Sequence, residues 1–477
     1  MSAGSISIAL SADTRIAAPR IALVPWAIAL LTAIIWLCAA IDGPSPALAQ
    51  SFGMGILAVL ALYLATALLV RPQEVCRPMS LFCIGCINFF ILDAAFLLHR
   101  ARDFDPESLL AADTLITIFL IVTTLTHNVA KFRRSFLAAL FKRAPGYLSG
   151  NAYLLVAVAA VAFEYLRRLY FVDFSLSRLW HDLLLARSGG AFRMGVENNW
   201  RVVLAPITVL FLLTTVFADL AWRRGISRPK KVFLLVVVAV QLGTLVLDTV
   251  RADLFTAILT PIFVRAAQDD SSVGRLLGVL VLGLPLLIPL MNVMNYARGG
   301  WQGLQVGEHA FQEPGEDDFF WLTNLAAYRS QDPGLLQYKG AFGFAEGLGE
   351  IGRDWVIIAI PRVVWPEKPK YQEQHYDTRG WYAAESVVGD LFQAGGVSCV
   401  IGGAILFGLW LSLLDGIYAA LKSDGEAIAY VFLAVSVVSM TRTALPFGTV
   451  PLLLSCLLFI IGWNMSRLFP ARRQRWA

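Results

Sequence analysis

Charge is what this sequence has least of. Asp, Glu, Lys and Arg make up 15% of its 477 residues, where a soluble globular chain carries about 25%. A water-soluble core of this size would need more polar surface than the chain supplies. Cysteine is scarce as well: six, scattered along the chain, which excludes a disulfide scaffold. Glycine follows no period and aromatics reach 12%, so collagen-like and disordered readings also fail. No Walker, Rossmann, kinase or zinc motif stands in a usable context. Cys83 and Cys86 have C-x-x-C spacing, but no second ligand pair accompanies them. With Cys76 they read as small apolar helix residues. What remains is apolar: 57% hydrophobic residues and a mean hydropathy of +0.66. The expected class is an all-α integral membrane protein, a single polytopic domain over residues 1–477.

A crossing helix needs about 20 mostly apolar residues. Such runs lie near 21–41, 52–70, 79–98, 109–129, 148–166, 202–221, 232–250, 276–296, 395–414, 427–441 and 446–464. A shorter run, Leu254 to Val264, is undecided by length alone. The Lys/Arg bias decides it. If the short run crosses, the chain makes twelve crossings with both termini cytoplasmic, and the inner segments hold 21 Lys+Arg. These include Lys131, Arg133, Arg134, Lys142, Arg143 and the run from Arg223 to Lys231. The short outer loops then hold only Arg100, Arg102, Arg251 and Arg442. Without it, Arg467, Arg472, Arg473 and Arg475 would lie outside. The net charge of +5 is thus placed by topology and points to no nucleic acid. Arg15, Arg20, the first run and Ala47-Leu48-Ala49 also resemble a cleavable leader. The run from Ile21 to Ile41 exceeds the usual apolar length of one, so an uncleaved anchor is expected.

Two loops on the outer face are long, 167–201 and 297–394, and loops of that length are usually functional or disordered. Both are aromatic-rich and neither is low in complexity. The first, outer loop 3, carries Arg167, Arg168, Arg178, Arg187, Arg193 and Arg201 and no Lys. The planar arginine fork suits bidentate phosphate contacts, so capture of an anionic lipid pyrophosphate or acidic sugar is one reading. An interfacial helix with snorkelling arginines is the other. Outer loop 5 holds 14 Asp+Glu against 8 Lys+Arg, with Trp301, Trp321, Trp355, Trp365 and Trp381 able to stack on sugar rings. Its Glu313–Asp318 run lacks EF-hand spacing. Near the short run, Asp248, Arg251 and Asp253 form either the floor of a cavity or a simple interfacial pair. Asn88, Asp93 and Asp113 read as an internal polar contact.

The stretch Ile360-Pro-Arg-Val-Val-Trp-Pro-Glu-Lys-Pro369 resembles the outer-loop signature of Wzy-type O-antigen polymerases, the bacterial oligosaccharide repeat-unit polymerases. Ser386-Val-Val-Gly-Asp-Leu-Phe followed by Gly395-Gly396 is similar to that family's segment before its next helix. Arg178 is followed at +11 by Gly189 and Arg329 at +11 by Gly340, close to an Arg-x10-Gly pattern seen in some members. The resemblance covers about 40 residues at motif level and most of the chain in topology. It implies a C-type glycosyltransferase acting on undecaprenyl-diphosphate-linked glycans at the inner membrane, with no nucleotide sugar, metal or other cofactor. A chain-length regulator and a flippase are the protein partners it implies.

Such a reaction moves a growing glycan from its lipid diphosphate to a sugar hydroxyl of the incoming unit. The departing diphosphate needs cationic stabilisation; Arg178, Arg187, Arg193, Arg251, Arg329, Arg362 and Lys368 are the candidates. The acceptor hydroxyl must lose a proton, for which Glu385, Asp390 and His375 stand nearest the motif, with His309 and Asp377 behind them. The O-antigen ligase is the alternative within the same enzyme class. A transporter or flippase of lipid-linked glycans is the alternative outside it, although no internal repeat is present.

The orientation has a direct check. Cysteine at Leu185 or Leu335 is expected to react with an impermeant thiol reagent in intact spheroplasts, and cysteine at Ala138 is not. The reverse labelling pattern would turn the chain over and remove both long loops from the outer face.

Overall fold

A computed structural model describes residues 23–70, 72–87, 106–130, 148–185, 207–249, 251–268, 273–297, 344–360, 365, 367, 387–421, 423–442 and 445–465. Every regular element among them is helical. In order these are α1 (Val24–Asp42), α2 (Pro46–Val70), a 3-10 turn (Pro72–Cys76), α3 (Pro78–Cys86), α4 (Pro106–Val129), α5 (Gly150–Phe171) and α6 (Leu176–Leu184). They continue with α7 (Thr214–Arg223), α8 (Arg228–Leu247), α9 (Arg251–Ala267), α10 (Val273–Tyr296), α11 (Phe344–Ala359), α12 (Val387–Ala419), α13 (Asp424–Arg442) and α14 (Leu445–Met465). A helical stretch over 207–212 precedes α7.

Each expected apolar run falls mainly on helix where it is described. Among the described residues five helices are long and apolar enough to cross a membrane: α1, α2, α4 from Leu109, α8, and α12 from Ala394. The chain is therefore read as membrane-embedded and all-α among its described residues. The short run Leu254–Val264 lies within the 17-residue α9. At about 1.5 Å per residue a helix of that length spans roughly 25 Å, a little under the hydrocarbon thickness. Ala47–Ala49 lies in the first turns of α2, which folds back on α1 with Gly55 against the Leu31 side chain.

α12 packs along α4, with α3 and α13 beside it. Phe82, Phe119 and Phe407 join α3, α4 and α12, with ring centroids 5.2 to 6.0 Å apart. A second group forms where α5 packs on α7, and α7 on α9 and α8. Two irregularities in that group are repaired by side chains from neighbours. Pro261 interrupts α9 and has no N–H to give the carbonyl four residues back. That carbonyl, Ala257 O, instead accepts from Thr215 Oγ1 at 2.5 Å. The helix breaks again at Leu213, and Gln241 Nε2 from α8 donates to Phe211 O at 2.5 Å and Leu212 O at 3.2 Å.

α12 is not one straight helix. Gly395 and Gly396 leave helical geometry, Gly396 at φ 68°, so Val387–Ala394 and the long remainder meet at a kink. Farther along, Gly408 lies against α4 so closely that an added Cβ would sit 2.6 Å from Thr123 O and 2.7 Å from Thr126 Cβ. Small residues at such crossings let two backbones approach. Gly408→Val is expected to destabilise the bundle by about 1–3 kcal/mol, the usual cost of overpacking. Thermal unfolding in detergent checks it: an unchanged midpoint would mean α4 and α12 are not held at this distance.

Candidate functional site

α5 has two long faces. Tyr153, Ala157, Ala160, Glu164 and Arg168 are buried, at steps of four and three that follow one helix face. Its last two members are charged, and they close a cluster with α8. Arg168 Nε donates to Glu164 Oε1 at 2.8 Å and Nη1 to Asp248 Oδ1 at 2.8 Å, while Nη2 binds Asp248 Oδ2. Arg167 grips Glu164 from the other side, through Nε at 2.8 Å and Nη2 at 2.6 Å. Two guanidinium groups thus meet two carboxylates and the cluster is neutral. Tyr165 and Thr244 hydroxyls meet at 2.7 Å one turn away.

The residue after Asp248 is Thr249, fully buried and at φ 56°. It caps α8 with its N–H donating to Val246 O at 3.0 Å, a position that usually holds glycine. A non-glycine residue in this left-handed conformation costs roughly 1–2 kcal/mol. Its hydroxyl has no hydrogen-bond partner among the described residues. Strain of this kind persists where the surroundings over-determine it, and here the Arg168–Asp248 pair fixes the preceding residue.

The sequence-derived candidates fall around this cluster unevenly. Arg167 and Arg168, expected in loop 3, lie instead in the last turn of α5. Asp248 pairs with Arg168; Arg251 opens α9, and its side chain is outside the described residues. Arg178 stands exposed on α6, its Nη1 2.9 Å from Asp173 Oδ2. Asp390 lies on Val387–Ala394, ahead of the glycine kink; its side chain is also outside the described residues, as are Arg187, Arg193, Arg329, Arg362, Lys368, His375 and Glu385. Asn88 and Asp93 lie outside them too, while Asp113 is buried in α4. Sequence reasoning missed the Glu164–Arg168 pair. The i,i+4 spacing of opposite charges was the signal that pointed to it.

The opposite end of α5 carries a second buried carboxylate. Asp424, 3% exposed, accepts from Tyr153 OH at 2.6 Å, Arg224 Nη2 at 2.9 Å and Gln268 Nε2 at 2.6 Å. Beside α12, Arg77 Nε lies 2.6 Å from Glu74 Oε2 and Nη1 lies 3.4 Å from Asp415 Oδ1. Burial alone would lower the Arg77 pKa, but Asp415 and Glu74 outweigh it and hold it above its ordinary value. These ion pairs and hydrogen bonds act as fasteners between helices.

The helix leading into the Pro361–Pro369 block is α11. It runs from Phe344 to Ala359 and stops ahead of Pro361. The residue before a proline is disfavoured in helical geometry, which accounts for the stop. α11 packs on α12 across the kink. A Cβ on Gly347 would lie 3.0 Å from the Ala394 backbone, Gly402 lies under the Phe344 ring, and Cys399 Sγ is 3.6 Å from Phe344 O. The ends of the segment between 360 and 387 are thereby fixed on one packed unit. Among the described residues no group of three or more His, Cys, Asp and Glu is placed to hold a metal ion.

No family model, curated protein or solved structure matches the chain.

The two kinds of arginine pair should separate on mutation. Asp248→Ala leaves a buried guanidinium without one of its two carboxylates, a loss of about 3–5 kcal/mol for buried pairs. Asp173→Ala breaks an exposed pair, for which about 1 kcal/mol or less is expected. Equal effects on unfolding of the purified protein would show that the α5–α8 cluster is not a structural fastener.

Proposed function

We propose that this chain is a glycosyltransferase of the bacterial inner membrane that polymerises undecaprenyl-diphosphate-linked repeat units into a surface polysaccharide. It crosses the membrane twelve times, with both termini cytoplasmic and the 167–201 and 297–394 loops outside. The reading rests on the Pro361–Pro369 block and its likeness to the repeat-unit polymerases. One structural observation supports it: α11, which delivers that block, and Val387–Ala394, which bears Asp390, are packed against each other. The helices that flank the 361–386 segment therefore belong to one packed unit.

In this mechanism the acceptor sugar hydroxyl attacks the anomeric carbon of the growing glycan. The bond from that carbon to the diphosphate oxygen breaks, and the lipid diphosphate leaves. The hydroxyl proton passes to a carboxylate or imidazole, for which Glu385, Asp390 and His375 are the candidates. Charge developing on the diphosphate is met by arginine and lysine from both loops: Arg178, Arg187, Arg193, Arg251, Arg329, Arg362 and Lys368. Arg168 is not among them, because its nitrogens are committed to Glu164 and Asp248. It acts through position, by fixing the end of α8 from which Arg251 follows.

Purified Arg362→Ala protein should turn over lipid-linked repeat units roughly a hundredfold more slowly than wild type, the cost of a clamp misplaced by about 1 Å. A wild-type rate in a normally folded protein would remove Arg362 from the site. Deletion of the gene sorts the classes in the cell. Single-repeat surface glycan fits a polymerase, unattached long chains a ligase, and no surface glycan a flippase.

A further inference from the structure

We infer that α6 lies in the membrane–water interface, with one flank in lipid and another in water. The inference is independent of the glycan chemistry proposed above. α6 is capped by Ser175, whose Oγ accepts from Arg178 N at 3.4 Å, and its nine residues present three flanks. Leu179, Asp182 and Leu183 are buried, the two leucines packing with Val172, Leu169, Tyr165 and Leu247. Ser177, Arg178 and His181 form a polar, exposed flank. Between them runs an apolar flank that no described residue covers, Leu176 and Trp180 at 73% and 60% exposure, with Leu184 one turn on. Only two of the three flanks are what a helix on a water-soluble surface would show.

Two observations identify what covers the third. The first is level. Leu247 is the last residue of α8, a helix apolar and long enough to cross, and it packs on α6. The Arg168–Asp248 pair sets the end of α5 at the same height. α6 therefore sits where an apolar span gives way to charge, which is the depth at which amphipathic aromatic rings concentrate. The second is continuity. The exposed face of α5 carries Leu155, Phe163, Leu166 and Tyr170, and the turn adds Phe174. Tyr170 and Phe174 meet edge to face, centroids 6.5 Å apart, so exposed apolar side chains lead from the wall of α5 through the turn to Leu176 and Trp180 on α6. Contiguous apolar surface of this kind marks an interaction site, and the surface it continues is the one α5 turns away from the bundle. Asp173 and Phe174, both at positive φ, make the turn that swings α6 off the α5 axis. A helix with one polar and one apolar flank, aligned with the end of the spans, lies in the interfacial plane. Arg178 then stands beside lipid phosphate in an ion pair that is exposed at both ends and readily exchanged.

Spin labels in proteoliposomes of the full-length protein test this. Cys38 is the one cysteine not buried, so single cysteines are placed at Leu176, Ser177, Trp180 and His181 in a Cys38→Ser background. All four positions are exposed, so labelling leaves the packing intact. The ratio of oxygen to nickel-chelate accessibility should be several-fold higher at 176 and 180 than at 177 and 181. Equal nickel access at all four would place α6 in water. Labels at 176 and 180 shielded from both reagents would show that protein, such as a second copy of the chain, covers the flank. Either result overturns the inference.

Discussion

Hydrocarbon offers a peptide group no hydrogen-bond partner, and an unsatisfied one costs several kcal/mol there. Most of the packing in this protein answers that constraint. Where Pro261 frees a carbonyl in α9, Thr215 of α7 supplies a hydroxyl to it. Where the chain breaks at Leu213, Gln241 of α8 reaches across to two carbonyls. Each irregularity therefore specifies a neighbour, because only a helix carrying a donor at that level can lie beside it. α7, α8 and α9 are held together by these bonds and by the apolar cluster of Leu245, Leu254 and Ala257 with Phe211 and Leu212.

The same constraint governs charge. Buried ionised groups are tolerated when paired and bonded, and the two ends of α5 each meet such a group. α5 shows the arrangement most fully. Tyr153 at one end donates to Asp424, and Arg168 at the other is held by Glu164 and Asp248. Between them the buried face is alanine, Ala157 and Ala160. α5 is thus pinned at both ends and smooth in the middle. Rotation or sliding of the helix would break both attachments at once.

This also explains what could be read from the sequence. Apolar runs mark helices because length and composition are local, and the runs expected near 21–41, 52–70 and 109–129 fall on α1, α2 and α4. Which charges pair is not local. Arg168 and Asp248 are 80 residues apart. The beginning of α11 was missed for a different reason. Gly347, Gly349 and Gly352 argue against a helix by propensity, yet Gly347 is needed there because the Ala394 backbone leaves no room for a side chain. Tertiary packing overrode local preference. The residues proposed for chemistry were legible only as motif, and of these Arg178 alone has a described side chain, in an exposed ion pair.

Rigidity near the motif follows from the glycines. Gly396 adopts φ 68°, open to glycine at no steric cost, and its kink turns Val387–Ala394 away from the long part of α12. Gly347 and Gly402 then bring α11 against both sides of that kink. The kink therefore brings residue 360 and residue 387 onto one support.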